Sequence, residues 1–596
     1  MDVRLLSGEA VQGDFSGVHD AAELRARVAA VLGLPPSRLR LLGPNGELQG
    51  SAAVTGTSGG VVQACLLADP AEQELAALAG FGDFGDLAAM EGLELPRRGL
   101  RALPERLCEL ARLQSLDLCE NHLRTLPNGF GGLRALISLH LGDNQLEHLP
   151  DSIGGLASLH FLNVDSNALA TLPESFGLLS SLETLQLKGN VLSALPESIG
   201  RLSSLRILAL DENQLTVLPE SAGLLSGLQE LSLRENQLRE LPAPVRGISE
   251  LRRLELPDNR LCALPEGVGL MSKLETLVLR GNRLKELPAS VSNLTALQTL
   301  FLADNQLTAL PDGIGRLASL SVLRLQRCRL SELPEGIGDL PALRTLEVAE
   351  NRLVWLPESI GRLVALQRLD LWANALAELP EGLGGLASLQ ALDLTRNELC
   401  ALPRGVGCLA ALQVLDASRN RLSALTESIG DLSTLQILGL TGNQLDSLPE
   451  TIGNLSMLQK LGLAENKLAS LPKSIGKLVA LQRLDLRGNS IASLPMSIGG
   501  LSAVQSLDLT DNELALLPES VGKLQSLQTL GLENNRLRRL PFSIGWLPNL
   551  RTLHLCGNDL ADLPESLGPL VAEQTRALGV AESVRRLEVL GLSVYR

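Results

Sequence analysis

The stretch LQILGLTGNQLDSLPETIGNLSM, residues 435–457, decides the fold of this chain. It has the pattern L-x-x-L-x-L-x-x-N-x-L-x-x-L-P-x-x-I-G-x-L-x-x, and this 23-residue pattern recurs without insertion or deletion along most of the sequence. Its asparagine runs from Asn121 to Asn558, and Cys328 is the one position in that series where another residue stands. A fixed period of this length indicates a repeat solenoid, in which each unit packs mainly on its neighbours.

Each repeat divides into two halves with different local preferences. In L-x-x-L-x-L the leucines alternate toward one face, so this half predicts a short β-strand with a buried leucine row. In L-P-x-x-I-G-x-L the proline fixes φ and removes a donor, which favours an extended or single-turn 3-10 path. We expect the asparagine to be buried and to bond the backbone of the turn, with Cys328 doing part of this as a weak donor.

The LPxxIGxL lettering resembles the intracellular 23-residue class of leucine-rich-repeat proteins, found in Ras-pathway scaffolds and in plant intracellular Ras-group-related proteins. The resemblance covers residues 93–570. It implies an α/β solenoid, a horseshoe of about 20 repeats with a parallel sheet on its concave side. It also implies a cytoplasmic, non-catalytic scaffold in signal transduction that binds small GTPases, phosphatases or kinases on the concave face.

Residues 1–68 do not follow the repeat and predict a separate small domain. Their order is strand, strand, helix, strand, strand, with Asp20 as the cap of the helix AAELRARVAAVLG. This order, and the segment LGLPPSRLRLLGPNGELQG at 32–50, resemble ubiquitin, so we expect a ubiquitin-like β-grasp domain. Residues 1–68 contain no lysine and do not end in Gly-Gly, which favours a built-in recognition module. A small stable domain without a ubiquitin-pathway role is the alternative.

Three further segments flank the full repeats. Residues 69–92 carry six acidic residues and no basic one, and we interpret them as an acidic linker, with a short helix near its start. Residues 93–109 match the leucine register but have Arg98 in the asparagine position, which is typical of an N-terminal cap repeat. Residues 571–596 lose the period and predict a C-terminal capping helix.

Composition excludes several functional classes. The net charge is −15 and the pI about 5.1, which argues against nucleic acid as a partner because phosphate binding needs basic stripes. No segment has the length of a membrane span or the pattern of a signal peptide. The eight cysteines are scattered without a C-x-x-C motif, so we expect a reducing compartment and a cytoplasmic location.

Candidate binding residues lie six, four and two positions before the repeat asparagine, because these side chains face solvent from the sheet. The richest region combines exposed aromatic residues and arginines with acids, the composition of an interface hot spot; ordinary surface variation is the alternative. The predicted partner-binding residues at these positions are Phe301, Arg324, Glu347, Arg368, Asp370, Trp372 and Asp393. We add Arg396, at a strand exit, and Trp355, which lies nearby in the sequence.

A second region combines Asp117, Cys119, His122 and His140, which are types that bind zinc or form nucleophile pairs. No motif spacing supports either chemistry, and no P-loop or kinase motif occurs. We therefore expect no metal, no cofactor and no catalytic residue. Two functions remain open: a signalling scaffold, or a ubiquitin-pathway adaptor whose residues 1–68 contact ubiquitin or proteasome machinery while the repeats select clients.

Overall fold

The computed structural model describes residues 70–561 and 563–567 continuously. Before them it describes 2–5, 10–12, 15, 18, 20–32, 39–43, 46–47 and 61–66. The chain divides into two compact units, an N-terminal unit of residues 1–208 and a C-terminal unit of residues 209–596. The predicted helix at 571–596 lies outside the described residues.

The start of the N-terminal unit is a small mixed sheet covered by a helix. Its elements are β1 Asp2–Leu5, α1 Ala21–Val31, β2 Leu39–Gly43, β3 Gly46–Glu47 and β4 Val61–Leu66. The sheet order is β1-β4-β2-β3, in which β1 and β4 are parallel and the other pairs are antiparallel.

Helix α1 begins where its sequence predicts, because the Asp20 carboxylate accepts a hydrogen bond from the Glu23 backbone N–H at 2.7 Å. Its apolar face, with Leu24 and Val28, packs on Val3 and Leu41 of the sheet. An antiparallel bridge also joins Arg4 of β1 to Ala10. This small core of the first 66 residues is therefore closed by the helix.

Residues 70–92, interpreted above as an acidic linker, contain ordered and buried side chains. They include helix α2, Pro70–Leu78, and a 3-10 helix at Phe84–Ala89. Phe84 and Leu87 are buried. Arg106 of the first repeat bonds the Glu72 carboxylate at 3.1 Å and lies over the Phe84 ring at 5.1 Å. This segment therefore packs against the first repeat.

The repeats supply short parallel strands, one in each 23-residue unit. Within the N-terminal unit, β5 to β9 pair in sequence order, and within the C-terminal unit β11 to β25 do the same. The strands are β5 Gly92–Glu94, β6 Ser115–Asp117, β7 Ser138–His140, β8 Phe161–Asn163, β9 Thr184–Gln186, β10 Ile207–Ala209, β11 Glu230–Ser232, β12 Arg253–Glu255, β13 Thr276–Val278, β14 Thr299–Phe301, β15 Val322–Arg324, β16 Thr345–Glu347, β17 Arg368–Asp370, β18 Ala391–Asp393, β19 Val414–Asp416, β20 Ile437–Gly439, β21 Lys460–Gly462, β22 Arg483–Asp485, β23 Ser506–Asp508, β24 Thr529–Gly531 and β25 Thr552–His554.

A one-turn 3-10 helix follows each strand, as the Leu-Pro half of the repeat predicts. Proline precedes most of these helices at φ near −70°. Thr426 replaces proline once and keeps the same geometry, with its hydroxyl 2.8 Å from the Ser428 hydroxyl. The helices are Glu105–Glu109, Phe130–Gly132, Asp151–Gly155, Glu174–Leu178, Glu197–Arg201, Glu220–Leu224, Ala243–Gly247, Glu266–Leu270, Ala289–Asn293, Asp312–Arg316, Glu335–Asp339, Glu358–Arg362, Glu381–Gly385, Arg404–Cys408, Glu427–Asp431, Glu450–Asn454, Lys473–Lys477, Met496–Gly500, Glu519–Lys523, Phe542–Trp546 and Glu565–Leu567.

The asparagine series forms a buried ladder that closes the turns. The Asn282 amide donates to the carbonyls of Leu256 and Leu279, each at 2.9 Å, and its oxygen accepts from the Leu261 N–H at 2.9 Å. One side chain therefore joins two consecutive repeats. As predicted, Cys328 does part of this work: its thiol donates to the Leu302 carbonyl at 3.4 Å, the bond that the asparagine amide makes elsewhere.

The residue before each ladder position has a left-handed backbone. Glycine occupies this position at Gly281, with φ +69°, but Ala373 adopts φ +54° without that freedom. For residues with a Cβ this conformation costs about 1–2 kcal/mol. The repeat therefore stores a small strain wherever glycine is absent.

We expect Gly281→Ala and Ala373→Gly to have opposite effects on stability. Gly281→Ala should cost about 1 kcal/mol, because the added Cβ would take on the backbone strain and would crowd the Asp258 carboxylate. Ala373→Gly should gain about 0.5 kcal/mol, because strain relief exceeds the extra entropy of the unfolded chain. Urea unfolding of both variants measures this, and a loss of stability in Ala373→Gly would contradict it.

Glutamates at the start of the 3-10 helices bond the next repeat. The Glu519 carboxylate accepts from the Ser543 N–H at 3.1 Å and the Phe542 N–H at 3.3 Å. Hydrogen bonding from Ser543, first through its side chain and then through its backbone, lowers the pKa of Glu519. The ionised carboxylate is thus favoured by folding.

This lowered pKa predicts a stability contribution that depends on pH. It is present above the ordinary glutamate pKa, about 4.3, and is lost as pH falls through the lower folded pKa. We expect Glu519→Gln to lower the melting temperature at pH 7 but to equal the parent chain near pH 3. A melting series from pH 7 to 3 tests this, and a difference that persists in acid would refute it.

Candidate functional site: a groove on the sheet face

A groove of about 570 Å³ lies on the solvent face of the sheet in the C-terminal unit. It is formed by residues at the ends of strands β11 to β17, where the chain leaves the sheet. Its apolar lining is Pro257, Val278, Phe301, Ala303, Ala349 and Trp372. Its polar lining is Arg234, Glu255, Asp258, Arg280, Asp304, Arg324, Gln326, Arg327, Glu350 and Asp370.

The centre of the groove is an arginine stacked on a phenylalanine. Phe301 of β14 pairs in register with Arg324 of β15, and the Arg324 guanidinium lies 4.5 Å from the centre of the Phe301 ring. The Arg324 Nε bonds the Glu347 carboxylate of β16 at 3.0 Å. Glu347 also approaches Arg368 at 3.5 Å. Because neighbouring strands hold each partner, this cation–π contact is fixed before any ligand arrives.

A chain of ion pairs runs along one rim of the groove. The Arg280 Nε donates to Asp304 at 2.9 Å, Asp304 lies 3.6 Å from Arg327, and the Arg327 Nε donates to Glu350 at 2.8 Å. These four residues come from four consecutive repeats, so each repeat contributes one charged residue to the series of ion pairs. The rim therefore alternates positive and negative side chains in a fixed order.

The other end of the groove is formed by Trp372 and acidic side chains. Asp370 accepts a hydrogen bond from the Trp372 N–H at 3.1 Å, and Arg396 lies 5.6 Å from the Trp372 ring centre. Burial raises the pKa of Asp370. Asp393 pairs in register with Asp370 and accepts from the Thr395 N–H at 2.9 Å.

The structure brings together most of the residues predicted from sequence. Phe301, Arg324, Asp370 and Trp372 line the groove, while Glu347, Arg368 and Arg396 contact those lining residues. Asp393 continues the acidic column on the next strand. Trp355 is different: it is exposed, but it lies between β16 and the 3-10 helix Glu358–Arg362, not in the groove lining.

Several groove residues did not figure in the sequence prediction, among them Val278, Arg280, Asp304 and Glu350. Val278 and Arg280 stand four and two positions before Asn282, the same offsets used for the predicted residues. Asp304 and Glu350 immediately precede their ladder positions, where φ is positive. The sequence prediction used that offset for Arg396, and the same offset identifies Asp304 and Glu350, because a left-handed residue at the strand exit also reaches the rim.

The Cys–His region of the N-terminal unit has ordinary packing. The His140 ring lies 4.8 Å from the Phe161 ring, and its Nε2 is 2.8 Å from the Ser138 hydroxyl. Burial raises the pKa of the Cys119 thiol to about 12, so this thiol is protonated at neutral pH. Across the described parts of the chain, no three histidine, cysteine or carboxylate side chains cluster as a metal site would require.

The sequence matches repeat families along most of the solenoid. A family described as "Leucine-rich repeat region" matches 151–240, 243–329 and 321–400, and "Leucine rich repeat" matches 111–169, 433–491, 456–514 and 480–537. "Leucine Rich repeats (2 copies)" matches 525–565. No curated protein matches the chain significantly. Within the described residues, no helix has both the length and the apolar character needed to cross a membrane.

Several solved structures are similar to this chain. A leucine-rich-repeat protein of Leptospira interrogans shares 34% identity, with 71% of this chain and 97% of that chain covered and a TM-score of 0.56. The plant peptide hormone receptor RGFR1, solved in complex with RGF2, shares 31% identity over 81% of each chain with a TM-score of 0.66. YopM from Yersinia enterocolitica shares 29% identity, covers 80% of this chain and 91% of that chain, and has a TM-score of 0.54.

Proposed function

Because this chain belongs to the leucine-rich-repeat family, whose proteins act as protein–protein interaction scaffolds, we propose that it binds a protein partner in the sheet groove. The role is non-catalytic. In this proposal the groove supplies the affinity, and the rest of the solenoid holds the groove in shape. The partner is a signalling protein, of the small GTPase, phosphatase or kinase class that the repeat lettering implies.

The observation that carries this proposal is the cluster of Phe301, Arg324 and Trp372 in one groove. Aromatic residues and arginine dominate the binding energy of protein interfaces, because they combine a large apolar area with a polar handle. Here they are partly exposed and are held by β-strand register and by carboxylates. A preorganised cluster loses little side-chain entropy when a partner binds.

Two further observations support a scaffold. One similar structure is a peptide hormone receptor in complex with RGF2, so a solenoid of related sequence holds a ligand in that protein. The cysteines Cys108, Cys119, Cys262, Cys328, Cys400, Cys408 and Cys556 are free thiols, which supports a reducing, cytoplasmic setting.

Affinity capture with the intact chain tests the proposal. We expect the double variant Arg324→Glu, Trp372→Ala to lose a protein that the parent chain captures. The matched control is Arg487→Glu, Trp355→Ala, which makes the same chemical changes outside the groove and should retain that protein. Equal loss in both variants, or retention in the groove variant, would reject the groove as the binding site; identification of the protein by mass spectrometry then tests its class.

A ubiquitin-pathway adaptor is a second candidate, and the topology of the first 66 residues favours it. In the order β1-β4-β2-β3 the strands β1 and β4 are parallel, and the Arg4–Ala10 bridge lies on β1. This order supports the proposal of a β-grasp domain. Deleting residues 1–68 should leave groove-dependent capture intact but abolish any association with ubiquitin or the proteasome; unchanged association would remove this candidate.

A further inference from the structure

Three arginines surround the apolar floor of the sheet groove, and each is held in the same way. Arg280, Arg324 and Arg327 bond Asp304, Glu347 and Glu350, respectively, through Nε. An arginine has five N–H donors, so a contact through Nε uses one of them and leaves donors on the terminal amino groups for a further planar contact. Arg327 also has one terminal nitrogen 3.6 Å from Asp304.

In all three pairs the guanidinium is the outer group and the carboxylate is the inner one. The side chains of Arg280 and Arg327 are each 60% exposed, whereas Asp304 and Glu350 are 29% and 34% exposed. Arg324 is 44% exposed and Glu347 is 13% exposed. At these three pairs an approaching partner therefore meets the guanidinium before the carboxylate, although the charges of each pair cancel at a distance. The lining also contains one exposed acidic residue outside these pairs, Asp258.

The net charge of −15 does not by itself prevent an acidic partner from binding here. At physiological salt the Debye length is about 8 Å, so carboxylates elsewhere on the solenoid are largely screened. The nearest donors decide the contact, and a carboxylate that bridges terminal amino groups forms charge-assisted hydrogen bonds. The buttressing carboxylates lower the entropy cost because the arginines are already positioned.

Resting on the proposed function, we infer that the groove recognises an extended segment of the partner that carries an apolar anchor flanked by Asp or Glu. The anchor lies on Val278, Pro257 and Ala303, beside Phe301, and the carboxylates meet the arginines. Parallel strands lie roughly 4.8 Å apart, so Arg280, which follows β13, is about 10 Å across the sheet from Arg324, at the end of β15, and from Arg327, which follows β15. In an extended peptide, side chains two residues apart face the same way about 7 Å apart, so acids two residues before and after the anchor lie about 14 Å apart, and the long side chains of the arginines bridge the remaining distance.

A matched set of labelled peptides tests this chemistry with the intact chain. The probe is acetyl-Gly-Ser-Glu-Ser-Trp-Ser-Glu-Ser-Gly, and the comparison peptides replace both glutamates with glutamine, lysine or phosphoserine. Fluorescence anisotropy should give about tenfold tighter binding for glutamate than for glutamine, the effect of one charge-assisted hydrogen bond. Lysine should bind more weakly than glutamine.

Variants of the chain locate the contact. Arg280→Gln, Arg327→Gln should remove the preference for glutamate over glutamine, while Arg487→Gln, on the same face but outside the groove, should retain it. Arg327→Lys should also reduce the preference for the glutamate peptide, because lysine keeps the positive charge but lacks the planar guanidinium that forms two parallel hydrogen bonds. Equal binding of the glutamate and glutamine peptides, or loss of the preference in Arg487→Gln, would overturn the inference.

The remaining outcomes are also decisive. Binding of the phosphoserine peptide well above the glutamate peptide would assign the groove to a phosphorylated segment and overturn the carboxylate assignment. No binding by any peptide up to about 1 mM, a free energy near −4 kcal/mol, would overturn the extended-segment inference. If Arg280→Gln, Arg327→Gln still captures the protein that Arg324→Glu, Trp372→Ala loses, the proposed function stands and only this inference fails.

Discussion

Replacing Asn282 with alanine should destabilise the C-terminal unit by about 3 kcal/mol, because several buried backbone groups lose their partner at once. The asparagine amide satisfies the carbonyls of Leu256, Leu279 and Arg280, and its oxygen satisfies the Leu261 N–H. Alanine can supply none of these bonds, and Asn282 is buried. Water therefore cannot replace them without opening the turn. Urea unfolding followed by circular dichroism measures the loss.

Cys328 provides the reverse experiment in the same ladder. Its thiol makes one long bond to the Leu302 carbonyl and a still longer one of 3.9 Å to the Gln326 carbonyl. Sulfur is a weak donor, so Cys328→Asn should stabilise the chain by about 1 kcal/mol.

Asn293→Ala, at an exposed position of a 3-10 helix, is the control for Asn282→Ala and should change the stability little. If Asn282→Ala matched that control, the ladder would not be a source of stability.

The fixed period explains why so much of this fold could be predicted from sequence. In a repeat of 23 residues without insertions, each residue lies a fixed number of positions from the repeat asparagine, and we call this number its offset. The offset determines which residues of the neighbouring strands it contacts. Phe301, Arg324 and Glu347 are adjacent in the structure because they share one offset in successive repeats. Their contact required only the period and the alternation of a strand.

Other features depended on information that the period does not contain. The acidic, glycine- and alanine-rich composition of residues 69–92 does not show the burial of Leu87 or the ion pair of Glu72 with Arg106, because both depend on the tertiary packing of this segment. Likewise, sequence offsets identify Arg280 and Asp304 as neighbours, but not which nitrogen of the arginine the carboxylate holds. Side-chain rotamers decide that detail, and it determines what the groove can bind.

Trp355 is the predicted binding residue whose position departs most from the groove. Composition grouped it with Trp372 because both are tryptophans close together in the sequence. Trp372 stands two positions before its ladder asparagine, whereas Trp355 stands four positions after Asn351, so the two belong to different sides of the repeat. Offset from the asparagine is therefore a better guide to shared surfaces than sequence proximity.

This difference leads to the prediction with the largest effect on binding. Trp372→Ala should weaken binding of the captured partner at least about 30-fold, or 2 kcal/mol, the typical effect of truncating an aromatic hot-spot residue. Trp372 lines the groove and contacts Arg396, so its loss removes apolar area and releases an arginine. Trp355→Ala removes the same side chain from an exposed position away from the groove lining and should leave affinity within about twofold.

Titration calorimetry with the purified partner measures both variants, and thermal melting checks that each is folded. Trp372 lies on the solvent face of the sheet and not in the leucine core, so its truncation should alter affinity far more than stability. A weakened Trp355→Ala beside an unchanged Trp372→Ala would transfer the binding surface from the sheet to the segment that follows the strand. Equal weakening of both would mean that one partner spans the two surfaces, which the groove alone does not explain.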